Sequence, residues 1–305
     1  MEILSSKDFI KGWVDLQEER KANPNKYRPR STGIRALDKA LGGGVEHGQL
    51  VIYGGKQKVG KSTLLQHTAT TFGKNRDPFG YFSIEMNNAS MATRVLCDLS
   101  GVEKNRIRNI EWNKQEWDML MDEAKQVEEY DAWWAYGLST IKGIKQAILK
   151  IDHDHGIFLD TIFVDYIQLM SHPGKSVRQE ELSEISHQFK RMSIEMKKPM
   201  LIFLAAQVNR DAAKNHVISA NSFLGTGAIE RDMDVGIIMH EVKDENSGKV
   251  RDDVRMLTIV GSRDTGLDTV PVRFNGTTAS IRDMEVEDNE ITLDYWRKQA
   301  EKAGV

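Results

Sequence analysis

Cysteine is almost missing from this chain: Cys97 is the only one among 305 residues. That excludes an internal disulfide, and a lone thiol fits a reducing, cytoplasmic setting. Long apolar runs are missing as well. None approaches the roughly 18 residues needed to span a bilayer, so no membrane-crossing helix is expected. The opening residues, Met1 to Asp8, lack the charged-then-apolar form of a signal peptide, and no export is expected. Neither sign of charge dominates. The net charge is −3, so there is no broad basic field, and any contact with nucleic acid must come from a local cluster of Lys and Arg. No internal repeat or low-complexity tract is visible. What remains is 40% apolar and 29% charged, an ordinary soluble globular composition. The length suits one large α/β domain with appendages, or two small domains.

Ser5-x-x-Asp8 has the form of a capping box, ahead of a helix that runs to Ala22. Phe9, Ile10, Trp13, Val14 and Leu16 fall on one side of it. Residues 23–30 are polar and hold Pro24 and Pro29, so they read as a linker. A helix isolated ahead of a linker must bury its stripe, either on its own domain or on a neighbouring subunit. From Ser31 onward strand and helix alternate. The apolar strands are Leu50–Tyr53, Phe79–Ile84, Thr161–Tyr166, Met200–Ala205, Val235–His240 and Val254–Val260. Helical stretches separate the first four, the signature of a mostly parallel sheet with helices on both faces. Val270–Phe274 and Thr277–Arg282 read as a late hairpin, with Asn275-Gly276 as its tight turn. Three parts follow: residues 1–30, a helix and linker; residues 31–284, the main α/β domain; and residues 285–305, a tail that is acidic and then weakly helical.

Residues Gly55 to Ser62, Gly-Lys-Gln-Lys-Val-Gly-Lys-Ser, match the G-x-x-x-x-G-K-[ST] pattern of a phosphate-binding loop. Glycines let consecutive backbone N–H groups turn inward onto an anion. Lys61 then reaches the β/γ-phosphates, and the Ser62 hydroxyl ligates Mg²⁺. A helix over Ser62–Phe72 adds its positive end at the same point. The order strand, loop, helix is the required one. Gly55, Lys58, Val59, Gly60, Lys61, Ser62 and Thr63 are therefore the expected ATP-binding set.

Four further residues follow apolar strands, where the ligand crevice of such a sheet lies. Glu85 is placed to polarise an attacking water. Asp165, closing Thr-Ile-Phe-Val-Asp, has the form of a Walker B acid that serves Mg²⁺. Gln207 is an amide placed to sense a γ-phosphate, and Arg263, on a glycine-flanked loop, suits an arginine finger donated to a neighbour. Two loops suit polyanion contact: Ser171–Arg178, with Lys175 and Arg178, and Asn209–Gly227, with Arg210 and Lys214. His153-x-His155 lacks a third ligand at useful spacing. Trp133-Trp134, Trp112 and Trp117 read as packing residues, and Cys97 as inert.

These motifs together resemble the RecA-like motor domain of DnaB-type replicative helicases. The likeness rests on Ser31-Thr-Gly-Ile-Arg-Ala-Leu-Asp, the phosphate loop, Phe82-Ser-Ile-Glu-Met and Ala92-Thr-Arg-Val-Leu. It continues through Val164-Asp-Tyr-Ile-Gln-Leu-Met, Glu184-Ile-Ser-His-Gln-Phe-Lys, Ala206-Gln-Val-Asn-Arg and Gly227-Ala-Ile-Glu-Arg-Asp-Met-Asp-Val. The resemblance implies an α/β RecA-like P-loop fold and an ATP hydrolase that forms hexameric rings on single-stranded DNA and unwinds duplex during replication. It implies Lys61 and Ser62 on phosphate and Mg²⁺, Glu85 on water, Asp165 on Mg²⁺, Gln207 as a coupler and Arg263 as the trans finger. Primase and a helicase loader are the partners it brings, in a bacterial or phage-infected cytoplasm.

The chain departs from the family in three ways. Only the short helix precedes the motor, as in a compact, phage-like member, and it resembles the linker helix that docks on the next subunit. Gly261 stands where the family often has a lysine, two residues before the finger, which weakens the expected trans contact. Lys56 and Lys58 add charge to the phosphate loop, expected to tighten phosphate binding or slow product release. Two alternatives remain open at this level: a RecA-type recombination ATPase that forms filaments on DNA, and an ATP-gated DNA-binding or loading module that does not unwind.

Overall fold

In a computed structural model, the described residues are 3–172, 174, 177–208, 223, 227–243, 249–262, 266 and 268–284. Lys175, Arg210, Lys214, Arg263 and the tail 285–305 lie outside them. Nine strands form one sheet: β1 Leu50–Gly55, β2 Phe79–Ser83, β3 Ala132–Tyr136, β4 Thr161–Asp165, β5 Leu201–Gln207, β6 Val235–Lys243, β7 Val250–Ser262, β8 Thr269–Asn275 and β9 Ser280–Asp283. Their order is β3-β2-β4-β5-β1-β6-β7-β8-β9. The pairs from β3 to β6 are parallel, and β7, β8 and β9 add antiparallel.

The helices are α1 Ser6–Ala22, α2 Pro24–Tyr27, α3 Arg35–Ala40, α4 Lys61–Lys74, α5 Asn88–Ser100, α6 Lys104–Asn109, α7 Lys114–Glu128, α8 Ile141–His155 and α9 Arg178–Glu195, with α10 at Gly227–Asp232. A 3-10 turn, Ile167–Leu169, follows β4. Among the described residues no helix is long and apolar enough to cross a membrane.

Strands buried on both faces need apolar residues at every position. In β1, Val51 and Tyr53 face one core with α3 and α4, while Leu50 and Ile52 face the other with α8 and α9. In β5, Leu201, Phe203 and Ala205 face the first core, and Ile202, Leu204 and Ala206 the second. Helices therefore cover both faces, as the alternation of elements implied. Phe163 and Phe203 stack at 4.7 Å in the middle of the first core, and the Phe72 edge meets both rings.

Within 23–30, Pro24 sits at the start of the one-turn helix α2, where its missing N–H costs nothing. Three expectations are corrected. β3 was not anticipated; its Trp133-Trp134 pair lies on the edge strand of the sheet, with Trp134 against Phe79 and Tyr81. The strand before Glu85 ends at Ser83, so Glu85 sits in the bend that follows it. The last hairpin does not turn at Asn275-Gly276 alone. The loop spans 276–279; the Asn275 carboxamide accepts from Thr277 N and Thr278 N, and Ala279 carries the left-handed φ of +53°.

α1 begins as expected, with the Ser5 hydroxyl accepting from Asp8 N. The reciprocal half of a capping box is replaced, since Ser5 Oγ donates to the Asp8 carboxylate at 2.5 Å. None of its residues is buried, so its stripe is not packed on the chain's own domain.

Candidate nucleotide site

The C-terminal ends of β1, β2, β4 and β5 converge. β1 runs into the loop at Gly55, and α4 starts at Lys61 behind Gly60, whose φ of +121° only glycine adopts without strain. A Cβ on Gly60 would stand 2.7 Å from the Phe274 ring, so the position has no room for a side chain. Lys58 also has a positive φ, +65°, and is exposed at the loop tip. Lys56 faces Glu241 of β6 at 3.7 Å.

Lys61 is only 8% exposed. Its ammonium donates to the carbonyls of Gly55 at 3.0 Å and Lys56 at 2.7 Å, which folds it across its own loop. Burial pushes its pKa down to about 8, against the opposing pull of Asp165 and Glu85. The next residue, Ser62, donates its hydroxyl to Asp165 Oδ1 at 3.0 Å, although 103 residues separate them. Asp165 is 2% exposed. Burial pushes its carboxyl up, while the Ser62 hydrogen bond and the charges of Arg94 and Lys61 pull it down.

The bend that carries Glu85 is tied to the same point. Ile84 N donates to Asp165 O at 2.9 Å, and Met86 N to Ser83 Oγ at 2.9 Å. Glu85 itself is exposed, and its charge acts on both Lys61 and Asp165. Thr63 is buried on the first turn of α4 and accepts from Arg94 Nη2 at 3.3 Å. Gln207, the last residue of β5, lies opposite Gly55 in register, and Val208 N donates to the Gly55 carbonyl.

A hydroxyl and a carboxylate oxygen side by side at the head of a phosphate loop are the donor set of a hard cation such as Mg²⁺, which keeps most of its shell as water and phosphate oxygen. Among the described residues no group of three or more His, Cys, Asp and Glu offers an all-protein metal cage. Beside the loop lies a cavity of about 670 Å³ against β7–β9, with Arg255, Phe274, Arg273 and Thr277 on its wall.

Lys61, Ser62, Glu85, Asp165 and Gln207 are thus brought to one edge of the sheet. Arg178 is held elsewhere, at the start of α9. Its guanidinium donates to the carbonyls of Gln168 at 2.6 Å and Met170 at 2.9 Å and pairs with Glu181, clasping the ends of the 171–177 loop. Cys97 is buried in α5, and burial pushes its thiol up to about 11, which keeps it protonated.

Three site residues were not singled out beforehand. Arg94 sits in the Ala92-Thr-Arg-Val-Leu string, Gln168 in the Asp165-Tyr-Ile-Gln string, and Arg255 is an arginine inside an apolar strand. Gln168 Oε1 accepts from Gln207 N at 3.0 Å and so fixes the main chain at the end of β5.

Such a sheet, with a phosphate loop on β1 and its acid on β4 beyond an intervening strand, defines a P-loop nucleotide-binding protein of the RecA-like type. The family model for the DnaB-like helicase C-terminal domain matches residues 30–283, and the chain belongs to that family.

Among curated relatives, the replicative DNA helicase DnaB of Leifsonia xyli subsp. xyli (strain CTCB07) is 26% identical over 259 residues, 83% of this chain and 55% of that protein. The DnaB of Treponema pallidum (strain Nichols) is 25% identical over 276 residues, 89% of this chain and 60% of that protein. The chain thus spans little more than half the length of these relatives. Among solved structures, an isolated ATPase domain superposes with a TM-score of 0.80 at 17% identity, covering 93% of this chain and all of that one. A DnaB-like replicative helicase, solved in a study of its interactions with primase, superposes at 0.78 and 16% identity, covering 89% of this chain and 67% of that one. These two likenesses concern the fold.

Proposed function

We propose that this chain is the motor of a ring-forming, ATP-driven DNA helicase that translocates on single-stranded DNA and opens duplex during replication. The observation that carries the reading is the Ser62–Asp165 pair at 3.0 Å, beside Lys61 and within the field of Glu85, in a chain of the DnaB-like family.

Phosphoryl transfer to water needs positioning and charge stabilisation more than covalent chemistry. Lys61 supplies the cation for the β/γ-phosphates, in exchange for the two loop carbonyls it now holds. Ser62 and Asp165 would hold Mg²⁺, which when bound neutralises charge on the phosphate oxygens. Glu85, exposed on its bend, orients the attacking water. Gln207, anchored through Gln168, is adjacent to Gly55 and passes nucleotide state to the loop beginning at residue 209.

Arg263 of a neighbouring copy completes the site across the subunit boundary. Lys175, Arg210 and Lys214 contact DNA in the pore, while Arg178 serves by holding the 171–177 loop in place. The stripe of α1 docks on the neighbouring subunit. Primase and a loader are the expected further partners.

The test combines a forked-duplex unwinding assay with ATP turnover. Glu85→Gln is expected to lower kcat by about 10²-fold or more, the scale of a lost general base, with nucleotide affinity kept. Arg263→Ala is expected to abolish hydrolysis and spare binding. ATP turnover with no strand displacement would sink the helicase reading in favour of a loading module, and open filaments instead of closed rings in micrographs would favour a recombination ATPase.

A further inference from the structure

Behind the phosphate loop stands a buried cation that the chemistry above does not use. Arg255, on β7, is 5% exposed, and arginine is seldom so buried without a carboxylate. Among the described residues its hydrogen bonds all end on main-chain carbonyls. Nη1 donates to Arg251 O at 2.7 Å, Val254 O at 2.7 Å and, weakly, Asp252 O at 3.5 Å. Nε donates at 3.2 Å to the carbonyl of Val59, inside the phosphate loop and 196 residues away in sequence. The guanidinium also lies 4.4 Å over the Phe274 ring, and that ring abuts Gly60. β7 and β8 therefore grip two consecutive residues of the loop, Val59 by hydrogen bond and Gly60 by contact.

The peptide that joins Val59 to Gly60 is planar and trans, so its C=O and N–H point to opposite sides. A carbonyl held toward β7 leaves the Gly60 N–H aimed away from β7. Without that hold the peptide is free to rotate, because Gly60 tolerates most backbone angles, and the donor is lost from its anion-facing direction.

We propose that Arg255 is a positioning residue for the phosphate loop, fixing the Val59–Gly60 peptide so that its N–H is set for phosphate before nucleotide arrives. This rests on the reading of Gly55–Ser62 as a polyphosphate site. Because the contact is to the loop and not to a base, it acts alike on every polyphosphate. Because it is equal in ground and transition states, it appears in KM and not in kcat.

The experiment compares the full chain with Arg255→Met, Arg255→Lys and Phe274→Leu, each checked for an intact melting transition. Binding of Mg-ATP and of inorganic triphosphate with Mg²⁺ is measured by calorimetry, and steady-state ATPase alongside. Arg255→Met is expected to weaken both ligands by about tenfold, the effect of one lost charge-assisted hydrogen bond. KM should rise in step and kcat stay within about twofold. Arg255→Lys should recover part of the loss, and Phe274→Leu should show a smaller loss in the same ATP-to-triphosphate ratio. If Arg255→Met does not fold, the other two variants decide.

A loss confined to ATP, with triphosphate binding unchanged, would place Arg255 on the base and overturn the proposal. So would a fall in kcat at constant KM, or no change in any variant. Failure of the unsubstituted protein to bind either ligand is a distinct result: it removes the polyphosphate reading itself, and this proposal with it.

Discussion

Lys61 holds its charge against its surroundings. Burial brings its pKa from 10.5 to about 8, so the folded protein disfavours the ammonium relative to the unfolded chain. Between pH 8 and 10.5 the unfolded chain binds more protons than the folded one, and this residue's contribution to stability rises with pH across that window. Nucleotide reverses the balance. A polyphosphate beside Lys61 favours the charged form and raises its pKa, so binding above pH 8 takes up a proton. Affinity is then full below about pH 8 and falls by up to tenfold per pH unit above it. Calorimetry at pH 8.5 in two buffers of different ionisation enthalpy should read that uptake, and Lys61→Met should abolish both the uptake and most of the affinity. A pH-independent affinity from 7.5 to 9.5 would contradict the assignment. The motif around Lys61 was legible in the sequence because its residues are contiguous and each has one physical task. Arg94, Gln168 and Arg255 were not, because their partners are a hydroxyl, a thioether sulfur and main-chain atoms, which no spacing rule reveals.

Elements were legible where burial is complete on both faces. β1, β4 and β5 read as unbroken apolar runs because helices cover each side, and their residues alternate between the two cores. β3 escaped notice because an edge strand is only partly buried, and Ala132–Tyr136, Ala-Trp-Trp-Ala-Tyr, is a run of only five whose adjacent tryptophans read as packing residues. The hairpin was placed correctly but its turn was not. A carboxamide that accepts two backbone N–H groups, as Asn275 does, supports a longer loop than the Asn-Gly pair implies.

The base of β1 depends on an ion pair between elements far apart in sequence. Lys190 Nζ of α9 donates to Asp234 Oδ2 at 2.6 Å, and Leu50 N donates to the same oxygen at 2.7 Å. Both side chains are largely buried. Removing one partner from such a pair costs about 3–5 kcal/mol, because the other charge stays behind. Lys190→Met should lose about that much in a urea melt, and adding Asp234→Asn should recover part of it, since the stranded charge is then gone. A change below about 0.5 kcal/mol would show that the pair does not hold β1 in place.

At the scale of the whole molecule, one face is left without cover among the described residues. Phe9 is 64% exposed and Trp13 59%, and Ile10, Val14 and Leu16 continue the stripe. Scattered apolar residues on a surface need no explanation, but a contiguous row on a helix with no buried residue does. α1 touches its own chain chiefly through α2, so its stripe contributes almost nothing to the fold of one copy. That separates assembly from stability. Trp13→Glu should leave the unfolding free energy of a single copy within about 0.5 kcal/mol, as for an exposed site. If α1 docks on a neighbouring subunit, the same change removes a large aromatic anchor and installs a charge against an apolar surface. Losses of about 2 kcal/mol or more are usual for such anchors, about thirtyfold in the dissociation constant of each interface. In a closed ring every interface carries the same defect, so the assembly should dissociate in light scattering at concentrations where the unsubstituted chain stays whole. If Arg263 completes the site across an interface, as proposed, ATP turnover should fall with it, while nucleotide binding by each copy persists. An unchanged oligomer would mean that the ring, if formed, is held by other surfaces and that α1 covers something else.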